Sequence, residues 1–159
     1  MAIDTTECPV ATTLASTYSG YKEDHTFKYE LSVQITTGEI VWAPTPGLLG
    51  PDSDGDTLKF FGIEKKMMKG ELYLGDGHYV GKEKSLIMYP EDMTDDVGHV
   101  RAIVEHAFAR IKQNNCLRDH WRHGLQNHWM IWKICVHLTN IKFEDEPLHK
   151  HPHPLLQIK

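Results

Sequence analysis

Three acidic side chains stand out by type and position: Asp4 near the start, Asp76 in a Gly75-Asp-Gly77 turn, and Glu105 inside a long stretch of periodic apolar residues. Glu105 closes the run Arg101-Ala-Ile-Val-Glu105, and Lys112 follows it seven residues later. At about 100° per residue, Arg101, Glu105 and Lys112 share a stripe of ~40° on one side of a helix. Val100, Ile103, Val104, Ala107, Phe108 and Ile111 fill the adjoining face. A carboxylate at the edge of a packed face, with cations a turn or two away, suits holding a metal ion beside a phosphate. Mg²⁺ takes oxygen ligands and is often held by a few carboxylates plus substrate phosphate. Two such ions, about 3.5–4 Å apart, can clamp the attacking and leaving oxygens of a phosphodiester displacement. Each residue also has an ordinary reading. The helix could be simply amphipathic with an i,i+4 Arg–Glu pair, Asp76 a turn residue, and Asp4 an exposed terminal one.

Two other clusters imitate metal sites. Asp52-Ser-Asp54-Gly-Asp56 has acids at the first, third and fifth positions of a calcium loop. Thr57 stands where that loop needs glycine and Ile63 where it needs a ligating glutamate, which argues against it. These aspartates better suit a solvated loop that caps the next helix. Among the 11 histidines, His120, His123 and His128, and His149, His151 and His153, offer imidazoles for Zn²⁺. Their spacing fits no structural zinc pattern. The first three stand near Arg118 and Arg122, where they suit phosphate oxygens instead.

The 159 residues, 40% hydrophobic and 25% charged, suffice for one domain with a sizeable core. No run approaches the 18 or so apolar residues of a membrane span, and the N-terminus lacks a signal-peptide pattern. Cys8, Cys116 and Cys135 are odd in number and widely spaced, so they read as reduced thiols of an intracellular protein. The net charge of −5 hides an asymmetry: residues 1–96 carry 17 acids against 8 Lys or Arg, and residues 97–142 carry 2 against 7. An acidic part beside a basic part fits a cation site next to an anion-binding surface.

Positioning such a site takes a sheet and helices. Ile3-Asp4-Thr5 reads as a first strand that begins abruptly, and Ser16–Asp24 as a loop. Phe27, Tyr29, Leu31, Val33 and Ile35 alternate with Lys28, Glu30, Ser32 and Gln34, which predicts a half-buried strand. Thr37-Gly38 turns it back into Glu39–Trp42. After a Pro/Gly-rich loop over 44–55, Asp56 or Thr57 caps a helix expected to reach Met68 and to stop at Gly70. Short strands follow at 71–75 and 85–89, then helices at 97–113 and near 125–141. This order predicts a mixed α/β domain.

The carboxylates, read with their surroundings, resemble the catalytic domain of the DDE-superfamily transposases, nearest the PIF/Harbinger-type endonucleases and the related bacterial insertion-sequence transposases. Ile3-Asp-Thr-Thr-Glu-Cys-Pro-Val10 resembles that family's first strand, and Ser19–Tyr29 its Ser-Gly-Lys-Lys…His…Lys segment. Gly38-Glu-Ile-Val-Trp42 resembles the strand after it. Leu74-Gly-Asp-Gly-His-Tyr-Val-Gly81 resembles a shuffled Ala-Asp-Lys-Gly-Tyr-x-Gly. Arg101, Glu105 and Lys112 keep the spacing Tyr-x2-Arg-x3-Glu-x6-Lys, with Gly98 in place of the tyrosine. Trp121–Leu125, His128 and Leu138-Thr-Asn140 echo a later Arg-His…His…Leu-Thr region.

The resemblance implies an α/β, ribonuclease-H-like mixed sheet of about five strands flanked by helices. Residues 1–142 would form the catalytic domain, its first strand truncated, and 143–159 an irregular tail. Asp4, Asp76 and Glu105 would bind Mg²⁺ or Mn²⁺ and carry the two-metal cleavage or transfer of DNA phosphodiesters. Asp56 would match the family's loop aspartate, with Asp52 and Asp54 as alternatives. Arg101, Lys112, Arg118, Arg122 and His123 would contact DNA. A separate DNA-binding protein or an N-terminal helix-turn-helix region would assist. The location would be nuclear in a eukaryote and otherwise cytoplasmic, with no membrane partner. The alternative is an inactive or host-adopted remnant that serves as an interaction module.

Overall fold

The computed structural model describes residues 1–68, 71, 73–75, 79, 87–88 and 95–148; for Glu64, 87–88 and 95–101 only the backbone is described. Asp76, and with it the histidines at 149, 151 and 153, lies outside these residues. The described strand segments are β1 (Ala2–Pro9), β2 (Tyr18–Ser19), β3 (Asp24–Val33), β4 (Ile40–Trp42), β5 (Leu48–Leu49), β6 (Tyr73–Leu74) and β7 (Ile87–Met88). The helices are α1 (Asp54–Phe61), α2 (Asp95–Ile111), α3 (Asn115–Arg118) and α4 (His128–Asp145). None of the described helices is long and apolar enough to cross a membrane.

β1 and β3 run antiparallel, from Ala2 opposite Val33 to Pro9 opposite Thr26. On its other edge β1 is parallel to β6, which is parallel to β7. β2, β5 and β4 line up along the far edge of β3, so the described segments occupy five positions across one mixed sheet. This sheet, flanked by helices, is compatible with the ribonuclease-H-like architecture.

Alternation along β3 is present, but the strand is not half-buried. Tyr29, Leu31 and Val33 join Ala2 and Cys8 of β1 in a core under α2 and α4. The polar side is buried as well: Lys28, Glu30 and Ser32 are 8%, 0% and 0% exposed. α1 covers that side, where Ile3, Leu58, Ile63, Tyr73 and Tyr79 form a second apolar cluster. Polar residues tolerate such burial when they are hydrogen-bonded. Glu30 accepts from Trp42 Nε1 at 2.9 Å, and Lys28 is ion-paired.

Helix ends also differ from expectation. Ser53 caps α1, its hydroxyl accepting from Asp56 N, so the helix starts ahead of Asp56. It stops at Gly62, whose left-handed φ of 61° ends it well before Met68. The last helix runs past 142 to Asp145 with Phe143 buried, and Leu148 packs against the main core.

His128, at the start of α4, is fully buried among aromatic rings. Its Nδ1 lies 2.6 Å from Tyr29 Oη, and Tyr29 in turn stacks on Trp132 with ring centres 4.4 Å apart. Burial drives the His128 pKa down to about 4. Folding therefore favours the neutral imidazole. That contribution is complete above the unfolded value near 6.5 and is lost as pH falls toward 4. At ~1.4 kcal/mol per pKa unit the loss is roughly 3 kcal/mol. Urea unfolding should show it between pH 7 and pH 4, and His128→Phe should flatten the profile by that amount. Parallel profiles for the two proteins would refute the assignment.

Candidate active site

Among the described residues β1 extends past its parallel neighbour. Ala2 pairs with Leu74, whose N–H donates to Met1 O at 2.8 Å, and among the described residues no strand pairs that edge beyond this point. A cleft of about 540 Å³ opens beside Asp4, Thr5, Thr6 and Glu7. Its other walls are the 19–22 turn, Lys28, the 50–54 loop and Lys112.

Strand alternation sends the β1 side chains to opposite sides of the sheet. Asp4 shares a face with Ala2 and Cys8, the face on which Ile103, Val104 and Ala107 of α2 pack. Its Oδ1 accepts from Thr5 N at 2.8 Å. Thr5 and Glu7 point to the α1 side, where Thr5 Oγ1 donates to Asp54 Oδ1 at 2.5 Å. Lys28 Nζ lies 3.1 Å from the same Asp54 oxygen and also donates to Asp52 O at 2.5 Å. Lys28 and Asp54 are only 10% and 14% exposed, so the pair is close to dry.

The loop reaches this place because its glycines let it lie flat on β3. A Cβ on Gly47 would stand 2.6 Å from Tyr29 Cζ, and one on Gly50 would strike Thr26 Oγ1. Gly50 N instead donates to Thr26 O at 3.0 Å. Asp52 then closes a turn, Oδ2 accepting from Leu49 N at 3.0 Å. Ser53 caps α1 and leaves Asp54 as the first helical residue, a position that suits a carboxylate.

The loop aspartates thus have separate places. Asp52 serves the turn and lines the cleft. Asp56, the residue expected from the sequence, is exposed and bonded to Ser53 Oγ at 2.5 Å as part of the cap. Asp54 is the loop carboxylate that the structure seats between Lys28 and Thr5 in the cleft of Asp4. Periodicity did not single it out. The signal was Ser53-x-x-Asp56, a capping-box spacing that engages Asp56 and leaves Asp54 inside the first turn. Lys28 stands on the face that alternation assigns to solvent, yet it is buried beside the cleft.

Among the basic residues, Lys112 enters the same cleft. Its Nζ donates to Glu7 O at 2.8 Å, and burial lowers its pKa. Glu105 lies two turns earlier on α2, exposed and outside the lining of that cleft. The Arg101 backbone belongs to α2, while its side chain lies outside the description. A second cleft, lined by Pro9, Asp24, Arg118, Asp119, His120 and Arg122, follows at the far end of β1. The 121 segment is tied there, Trp121 N donating to Pro9 O at 3.1 Å and Ala11 N to Trp121 O at 2.8 Å. His120 pairs with Asp24 at 2.8 Å, His123 lies edge-on to Trp121, and His128 is in the core, so the three do not converge. Among the described residues no three His, Cys, Asp or Glu side chains gather closely enough to hold an ion.

The mixed sheet flanked by helices, with carboxylates and lysines lining a cleft beside β1, is compatible with a ribonuclease-H-like α/β domain. Residues 3–140 match the family model described as DDE superfamily endonuclease, and the chain belongs to that family. It finds no significant match among curated proteins or solved structures.

The Lys28–Asp54 pair has a testable cost. Removing one partner of a nearly buried pair strands the other charge. Lys28→Met should destabilise the fold by about 2–3 kcal/mol in urea unfolding, and adding Asp54→Asn should recover part of that loss. A single-variant loss below ~0.5 kcal/mol would mean that water already screens the pair.

Proposed function

We propose that this chain is a transposase-type DNA endonuclease, nearest the PIF/Harbinger group, that cleaves or transfers phosphodiesters with divalent metal. The observation that carries the reading is the cleft that Asp4 and Asp54 share with Lys112 in a chain of this family. Asp4 from β1 and Asp54 from the start of α1 line it together, beside a stretch of β1 edge with no described strand next to it. Both are hard oxygen donors, which suits Mg²⁺ or Mn²⁺. Thr5 and Lys28 both hold Asp54 Oδ1, so Oδ2 is the oxygen to offer a cation.

Asp4, Asp76 and Glu105 are the proposed metal carboxylates, and Asp54 takes the loop position. Leu74, two residues before Asp76, pairs with Ala2, two residues before Asp4. Glu105 rides the helix that packs on the Asp4 face of the sheet. Bound divalent ions would supply an activated water or 3′-hydroxyl and neutralise charge on the phosphate in flight. Lys112 supplies the cation of the cleft wall, and an arriving phosphate favours its ammonium form. Arg118, Arg122 and His123 at the far end of β1, with Arg101 on α2, hold the DNA backbone without reading sequence. Target choice falls to a separate DNA-binding protein or an N-terminal helix-turn-helix region, and the site of action is the nucleus in a eukaryotic cell.

A second reading, a non-catalytic interaction module on the same fold, draws on one observation: Glu105 is exposed and outside the lining of the cleft. Nicking of supercoiled DNA with Mg²⁺ or Mn²⁺ separates the two. The parent should nick. Asp4→Asn, Asp54→Asn, Asp76→Asn and Glu105→Gln should each lose on the order of 100-fold with the circular dichroism spectrum kept, whereas Asp56→Ala should retain activity. A folded parent that binds DNA but never nicks supports the module.

DNA binding can be tested without metal. Arg118→Ala and Arg122→Ala should weaken affinity about equally for unrelated sequences, each reducing the salt-dependence slope by roughly one. An unchanged slope would remove these arginines from the DNA path.

A further inference from the structure

α4 carries two apolar stripes on opposite sides. Trp132, Cys135, Val136, Thr139 and Phe143 are buried against the sheet. Met130, Ile134, Leu138 and Ile141 are 42%, 53%, 47% and 47% exposed. At about 100° per residue, Met130, Ile134 and Ile141 fall within ~40° of one another, while Thr139 lies roughly 180° from Met130. Beside the outer stripe is a groove of about 480 Å³ whose lining includes Ala43, Ile134, Val136 and Leu138. A helix that is apolar all round belongs inside a structure. A contiguous exposed patch of this kind marks an interaction surface.

We propose that a second copy of this chain covers this face, the two α4 helices packing antiparallel about a two-fold axis near His137 and Leu138. The charges at the edge of the stripe choose this occupant and direction. Lys133 and Glu144 are both exposed and eleven residues apart, which sets them within ~20° on one edge, near opposite ends of the stripe. A two-fold axis across the stripe brings that edge against itself with the ends exchanged. Lys133 of each copy then meets Glu144 of the other, which closes the interface with two equivalent ion pairs. A parallel arrangement, with its two-fold along the helices, would send the two copies of this edge to opposite sides of the seam and leave Lys133 and Glu144 unpaired. Ile134 and Ile141 alternate between these pairs along a seam of about 21 Å, from Met130 to Glu144.

The proposal does not rest on the nuclease reading, and its test involves no cleavage. Sedimentation equilibrium on the full chain should show reversible dimers at micromolar concentration. Ile134→Glu and Leu138→Glu, at exposed positions that leave the circular dichroism spectrum intact, should each weaken association about tenfold or more. Lys133→Glu should also weaken it, and Lys133→Glu combined with Glu144→Lys should restore it. A parent that stays monomeric throughout overturns the proposal and leaves the stripe to another partner. Dimers that survive Ile134→Glu overturn it too. So does a charge exchange that fails to restore association, since it breaks the antiparallel pairing.

Discussion

Antiparallel pairing with β3 holds β1 along its whole length on one edge, while among the described residues its other edge meets β6 at Ala2. Rigidity and access are thereby combined in one strand. The continuous ladder fixes the backbone of Asp4 through Glu7 to within the tolerance of a hydrogen-bonded sheet. Open α/β sheets commonly bind ligands where neighbouring strands part company. Here the parting also lets side chains from both faces of the sheet reach one cleft.

The buried polar face of β3 follows from the same layout. α1 packs over it because the preceding loop must cross β3 to bring Asp54 to the cleft, and that crossing buries Lys28, Glu30 and Ser32. Each would be costly alone. Lys28 meets Asp54 and the Asp52 carbonyl, and Glu30 meets the Trp42 indole. Polar side chains here specify how the loop docks, and apolar ones beneath α2 and α4 supply the core. Thiols take part in that core: Cys116 and Cys135 touch at 3.8 Å between sulfurs, and burial pushes Cys8 and Cys135 up to about 12, which keeps them protonated and inert.

Much of this was legible before any coordinates. Period-two alternation located β3, and the 3.6-residue repeat located α2 together with its buried Ile103, Val104, Ala107, Phe108 and Ile111. Composition and turn signals located β1, β4, β6, β7, α1 and α4, whereas β2 and β5 fall in segments that read as loops and α3 begins at the Asn114-Asn115 break without a signal of its own. The burial of Lys28 was not legible, because alternation reports which residues share a face and not whether another layer covers it. Nor was the end of α1, expected near Met68 with Gly70 as its stop, whereas Gly62 takes the left-handed φ of 61° and ends the helix at Phe61. Within the loop, aspartates spaced by two residues are chemically alike. Their roles separate once Ser53 becomes the cap.

Gly38 turns the β3–β4 connection with φ of 79°, and its empty Cβ position lies 2.9 Å from Leu148 Cβ. The side chain of Leu148 thus seats in a notch that any larger residue at 38 would fill. Residues that follow the last helix act as a clasp across the hairpin, so the segment after 142 is part of the folded body at least as far as 148. Any protein joined to this chain, or any protease trimming it, would have to leave that clasp closed to keep the hairpin and α4 aligned.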